Sequence, residues 1–139
     1  MNEIFSQSVE NLALKIKNSE LTSVELCEKY IERINKFEKE VKAWAFFDKK
    51  ILLEKAKEAD DYRRSGKPIG FLHGIPVAVK DIIGTVEMPT ECGTSIRKGK
   101  SYSQNAEIID LLISEGAIVM GKTATSELAF LSLIHISEP

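Results

Sequence analysis

Cysteine is almost missing from this chain. Its 139 residues hold two, Cys27 in a helical pattern and Cys92 in a loop region, with no metal-ligand spacing and no framework of several bridges. A reduced, cytoplasmic setting is expected, and no cofactor is implied. Neither sign of charge is in excess: 19 basic residues face 21 acidic ones, for a net charge of −2. That balance gives no electrostatic footprint for nucleic acid or an anionic membrane. No apolar run approaches the ~18 residues of a membrane span, and Met1 to Ser8 lacks a basic region followed by an apolar one. Secretion by a signal peptide and membrane insertion are both disfavoured. Apolar residues, by contrast, make up 43% of the chain, enough for the core of one domain of ordinary size.

The first half reads as helices. Val9, Leu12, Ala13 and Ile16 recur at helical spacing to Asn18, with Ser8 available as a cap. Thr22-Ser23-Val24-Glu25 is a capping box, because the Thr22 hydroxyl and the Glu25 carboxylate can each satisfy an orphan backbone donor of the other. The stripe Val24, Cys27, Ile31, Ile34 and Phe37 behind it predicts a helix from Ser23 to about Lys39, with Cys27 a small core residue rather than a nucleophile. Ala43 to Phe47 is short and aromatic-rich, a strand or an extended segment against the helices. Asp48 can cap a third helix with Ile51, Leu52, Ala56, Ala59 and Tyr62 on one side. Ser65-Gly66-Lys67-Pro68 ends it with loop chemistry.

Helices then give way to strands. Val77, Ala78 and Val79 form a short buried strand that runs straight into Lys80. A lysine there sits at the rim where open α/β sheets build active sites, so Lys80 is the first candidate for chemistry, against a plain solvated loop lysine. Asp81 to Ser103 has little periodicity and reads as a long loop with at most one short strand. Asn105 or Ser103 would cap a helix carrying Ile108, Leu111 and Leu112 and stopping at Ser114-Glu115-Gly116. Ala117 to Met120 is a second short buried strand, ending in Gly121-Lys122-Thr123. The order strand, loop, helix, strand predicts a βαβ unit with parallel strands and a right-handed crossover. Thr125 to Phe130 would open a further helix. The expected class is α/β: a helical lead over 8–65, then the start of a mixed, mainly parallel sheet over 69–130, with no internal repeat. Leu131 to Pro139 breaks the pattern. Its string LSLIHISEP resembles the translation of a sequencing adapter, so 131–139 is expected to be an artefactual tail, and His135 and Ser132 within it are not recruited for chemistry.

Four blocks occur in order: Gly70 to Asp81 (GFLHGIPVAVKD), Met88-Pro89-Thr90, Glu115 to Thr123 (EGAIVMGKT), and Ser126 to Ala129 (SELA). Together with ELTSVELCEKYIERI and VKAWAFFD they resemble the N-terminal part of the amidase signature family, over Val9 to Phe130. The loop blocks are more similar to general amidases than to the A component of tRNA-dependent amidotransferases. The resemblance implies a Ser, cis-Ser, Lys triad in which Lys80 is the base. Both serines of such a triad would lie beyond this chain, and Ser126 matches a non-catalytic position. The implied activity of the complete protein is hydrolysis of a small carboxylic amide, with a homo-oligomer open and no nucleic acid expected unless it serves as part of an amidotransferase. The fragment alone is expected to be inactive.

A base lysine has a physical requirement. Ordinary lysines titrate near ~10.4, so one that accepts a proton at neutral pH needs about 4 kcal/mol from burial or neighbouring donors. Asp81 can orient the loop or act as a turn cap, His73 reads as a structural loop residue, and Lys122 as a rim or structural lysine. The rival from another class is a non-catalytic interaction domain using the helices from Val9 to Tyr62.

Overall fold

The computed structural model describes residues 3–130; the expected tail lies outside them. Helix α1 (Val9–Lys17) begins where the Ser8 side chain accepts the Asn11 N–H, and it buries Leu12 and Ile16. Helix α2 (Ser23–Val41) opens on the predicted capping box, with the Thr22 N–H donating to the Glu25 carboxylate at 2.8 Å and the Glu25 N–H to Thr22 Oγ1 at 3.1 Å. The hydrogen bonds from Thr22 hold the Glu25 carboxyl below the ordinary carboxylate value. Helix α3 (Lys49–Arg64) starts on Asp48, as its sequence predicts.

A second cap on α2 has no local sequence signal. Asp60 of α3 is 2% exposed and accepts the Ser23 N–H at 2.9 Å and the Val24 N–H at 3.1 Å, across 37 residues of chain. A buried carboxylate against two orphan donors also complements the positive end of the helix dipole. It locks α3 beside the start of α2. The cluster between them joins Cys27, Ile31, Leu52 and Ala56 to Ile118 and Met120 of the sheet. Burial pushes the Cys27 thiol up to about 12, with nearby Asp60 adding to it, so Cys27 is the core residue its spacing predicts. A second cluster joins Leu12, Ile16, Leu26 and Ile75.

Strands β1 (Trp44–Phe46), β2 (Pro76–Lys80) and β3 (Ile118–Thr123) form a sheet in the order β1-β3-β2. β2 and β3 are parallel, linked through helix α4 (Glu107–Ser114), which gives the predicted βαβ unit. β1 is antiparallel to β3, so the aromatic-rich segment is an edge strand and the sheet is mixed. Gly116 makes the turn from α4 to β3 at φ +84°, and a Cβ there would lie 2.8 Å from His73 Cα, so glycine is required twice over. No helix among the described residues is long and apolar enough to cross a membrane.

Four local readings differ from the sequence-based expectation. Helix α4 buries Ile109 and leaves the expected Ile108 and Leu111 exposed, because its docking turns it by one residue, while the stretch before it is the expected long loop with one 3₁₀ turn at Ser95–Arg97. Neither Ser103 nor Asn105 caps α4; Ala106 occupies that position, while Asn105 accepts the Val86 N–H and donates to Asp110, both at 2.8 Å. Asn105 is drawn away because the loop at Val86 needs an acceptor. β3 runs past Met120 to Thr123, since a Cβ at position 121 would lie 2.8 Å from the Trp44 ring: Gly121 admits the ring to the backbone and the strand continues beneath it. Ser126 leads into a single 3₁₀ turn at Glu127–Ala129, in which Leu128 and Ala129 have φ +52° and +55°, so no α-helix opens there.

Replacing Asp60 by alanine strands two buried N–H groups. Asp60→Ala should cost about 2–3 kcal/mol and Asp60→Asn, which keeps one acceptor, about half of that. Urea unfolding of the chain checks both, and an unchanged midpoint for Asp60→Ala would contradict the capping role.

Candidate active site

Lys80 ends β2 and is exposed, its Nζ donating to the Ala124 carbonyl at 2.9 Å. No hydroxyl or thiol is hydrogen-bonded to it among the described residues. Two clefts, of about 470 and 620 Å³, lie around His73 near the other end of β2 and do not include Lys80. His73 itself is buried, with Nε2 2.9 Å from the Ala59 carbonyl oxygen and its ring 5.8 Å from that of Tyr62, a structural placement as expected.

Asp81 organises the ground beside Lys80. It is 1% exposed, and its N–H donates to the Thr123 carbonyl at 2.9 Å, which carries the strand pairing one residue past Lys80. Its carboxylate accepts the N–H groups of Glu91 at 3.1 Å and Gly93 at 3.4 Å, and its carbonyl accepts that of Cys92 at 3.0 Å. Three successive amides can converge on one residue because Cys92 and Gly93 have φ +55° and +65°. Gly93 is further constrained, since a Cβ would lie 2.6 Å from the Thr125 carbonyl oxygen. The Leu128 N–H donates to the Cys92 carbonyl and the Thr94 hydroxyl to the Glu127 carboxylate, at 2.8 and 2.7 Å. Residues 91–94 and 124–128 are thus bonded together beside the Lys80 amine.

Lys122 behaves quite differently from Lys80. In the parallel register Val79 pairs with Lys122 and Lys80 with Thr123, so the two lysines leave opposite faces of the sheet. Lys122 is wholly buried. It is structural, with no place at the rim. Its Nζ donates to the Ile83 carbonyl at 2.7 Å, Thr85 Oγ1 at 3.2 Å and Thr90 Oγ1 at 2.6 Å. Both hydroxyl protons are committed elsewhere, Thr85 to the Met88 carbonyl at 2.9 Å and Thr90 to that of Ile83 at 3.4 Å. Three acceptors therefore demand three N–H donors, which only the ammonium form supplies. Burial pushes the Lys122 value down, while the charges of Asp81 and Cys92 pull it back. Among the described residues no group of three or more His, Cys, Asp or Glu side chains could hold a metal ion.

The Lys80 position and its strand were visible in the sequence, but the strand is not the fully buried one its apolar run predicts: β2 lies at the sheet edge, with Val79 buried and Ala78 exposed. Lys122 was visible only as a second strand-end lysine, because its burial depends on the β2–β3 register. Thr85 and Asp60 carried no signal, and Thr90 only as a member of the Met88-Pro89-Thr90 block, since nothing in their spacing distinguishes a buried acceptor from an ordinary polar residue.

A family model described as Amidase matches residues 25–134. The chain belongs to the amidase signature family. It is 34% identical, over 93% of its length, to the A component of the glutamyl-tRNA(Gln) amidotransferase of Chloroflexus aurantiacus, and covers 26% of that protein. Among solved structures it matches the native peptide amidase from Stenotrophomonas maltophilia at a TM-score of 0.83 and 31% identity, covering 90% of this chain and 26% of that one. A fatty acid amide hydrolase matches at 0.81 and 26% identity, covering 88% and 22%. The chain spans about a quarter of the length of the curated relatives it matches.

The direction of the Lys122 shift sets a pH dependence. The folded chain releases this proton more readily than the unfolded one, so above the folded midpoint the unfolded state holds more protons. Burying the ammonium costs stability at all lower pH, and that cost is relieved as pH rises towards ~10.4. Urea unfolding at about pH 8 and about pH 10 should show this gain in the parent chain and lose it in Lys122→Met. An identical pH response in both would contradict the shift.

Proposed function

We propose that this chain is the N-terminal part of an amidase that hydrolyses a small carboxylic amide through a serine acyl-enzyme, with Lys80 as its base. The observation that carries the reading is the Lys80 amine itself, the terminal residue of a parallel strand, offered at the rim with one carbonyl partner. One site on that nitrogen can still meet a hydroxyl. Neutral Lys80 would take the proton of a relay serine, and that serine the proton of a second, whose oxygen attacks the amide carbon. Collapse of the tetrahedral adduct expels the amine with a returned proton, and water then cleaves the ester by the same relay. No cofactor enters these steps. Both serines lie on the part of the protein beyond Phe130.

An exposed base without a pocket would also suit a non-catalytic interaction domain. What favours the enzyme is the surface of the second half of the chain: Ile82, Val86, Ile96, Leu128 and Phe130 are exposed, Ile96 at 81% and Phe130 at 87%. Such exposed apolar side chains on a chain a quarter the length of its relatives fit a surface that further polypeptide would cover. That cover would bury Lys80 and supply the environment its role requires. In this reading the protein acts in the cytoplasm on a small-molecule amide, can form a homo-oligomer, and needs nucleic acid only if it serves in an amidotransferase. The 34% identity to the A component of an amidotransferase supports a second reading, in which the complete protein acts with partner subunits on glutamyl-tRNA(Gln).

The 139-residue chain should not hydrolyse simple amides, whereas the complete protein should do so unaided and lose at least about 10³-fold in kcat on Lys80→Ala. Hydrolysis by the short chain that disappears with Lys80→Ala would refute the division of the triad. Activity of the complete protein only with added partner subunits would favour the amidotransferase.

A further inference from the structure

Two hydrogen-bonded paths run from the buried Lys122 to Lys80. In the first, Lys122 Nζ donates to the Ile83 carbonyl at 2.7 Å, and the Ile83 N–H donates to the Lys80 carbonyl at 3.0 Å. A single peptide-linked residue thus spans the buried ammonium and the backbone of the exposed lysine. In the second, Lys122 holds Thr90 at 2.6 Å, and the next residue, Glu91, gives its N–H to the carboxylate of Asp81, which directly follows Lys80. Thr85, the third acceptor, ties the intervening loop to the same ammonium. The turn after β2 therefore has a charged anchor beneath it, on the face of the sheet opposite to Lys80.

Core packing alone would not call for a lysine here. A methionine could fill the same volume without burying a charge, and burying an unpaired ammonium is expensive. An interior that accepts this expense at the strand position next to a rim amine gains a turn that can sit in one place only.

We propose that Lys122 is a positioning residue for Lys80: its ammonium clamps the 83–90 loop to the sheet floor and so fixes where the Lys80 amine is presented. This rests on the reading of Lys80 as the base. Lys122 touches neither substrate nor the reacting atoms; it acts through Ile83, Thr90 and Asp81.

The test uses the complete protein with Lys122→Met and Lys80→Ala, and titrates active sites with a serine-directed fluorophosphonate before turnover is measured. Lys122→Met should keep the titratable stoichiometry and the parent KM within about threefold while kcat per titrated site falls about 10²-fold, the cost of a small misplacement of a catalytic group. A merely structural role would instead lower the number of titratable molecules and leave the turnover of each unchanged. Thr90→Val, which removes one acceptor and leaves the other two, should show the same pattern at about tenfold, and it decides the matter if Lys122→Met does not fold. Parent-like turnover per titrated site in the variant that folds, together with an inactive Lys80→Ala, would overturn the assignment of Lys122 alone. Full activity in Lys80→Ala would overturn the reading of Lys80 itself.

Discussion

The parallel pairing of β2 with β3 places Val79 beside Lys122 and Lys80 beside Thr123, and nearly every feature of the candidate site follows from that register. Side chains alternate along a strand, so a slip of one strand by one residue would turn its side chains over and bring both lysines to the same face. With the register as it is, Lys80 leaves the sheet at the rim and Lys122 enters the interior. The Asp81 N–H extends the ladder by one further bond and sets its carboxylate beneath the amides of residues 91 and 93. The strand pairing is therefore the part of the fold that converts two similar lysines into two different chemical groups.

What holds that pairing in place is distributed over the first half of the chain. Helices α2 and α3 supply Cys27, Ile31, Leu52 and Ala56 as the surface against which Ile118 and Met120 pack. Asp60 fixes the two helices to each other at the start of α2, where backbone donors would otherwise be orphaned. The helical lead is thus more than a decoration on the sheet, and β1, which lies within it, forms one edge of the sheet. The other edge, β2, carries Lys80.

Caps and cores on one side and long-range acceptors on the other behave differently under sequence reading. The Thr22–Glu25 box and the Ser8 and Asp48 caps rest on residues two to four apart and stand in the structure as their spacing predicts, while the stripes of α1 and α2 are buried only in part: Leu12, Ile16, Cys27 and Ile31 lie in the core, but Val9 and Phe37 are exposed and Leu26 is buried in their place. The Lys80 strand and the βαβ order were equally legible, because apolar runs and loop residues alternate clearly. Asn105 misled for a physical reason: its carboxamide suits a helix cap, but the Val86 amide 19 residues away competes for it and wins. Gly121 and Lys122 read as the end of a strand because glycine and lysine seldom occupy a sheet interior. Only the Trp44 ring and the overlying loop make both acceptable there.

Sequence alone determined helices α1 to α3 and their caps, the parallel unit, the family and the place of Lys80, since each depends on local spacing or on ordered blocks of residues. Tertiary structure alone decided that Lys122 is a buried ammonium, that Asp60 caps a helix 37 residues away, and that Asp81 gathers the turn beside Lys80. These are contacts between segments brought together by strand register and helix packing. Their energy comes from partners that are far apart along the chain, so no local pattern records them.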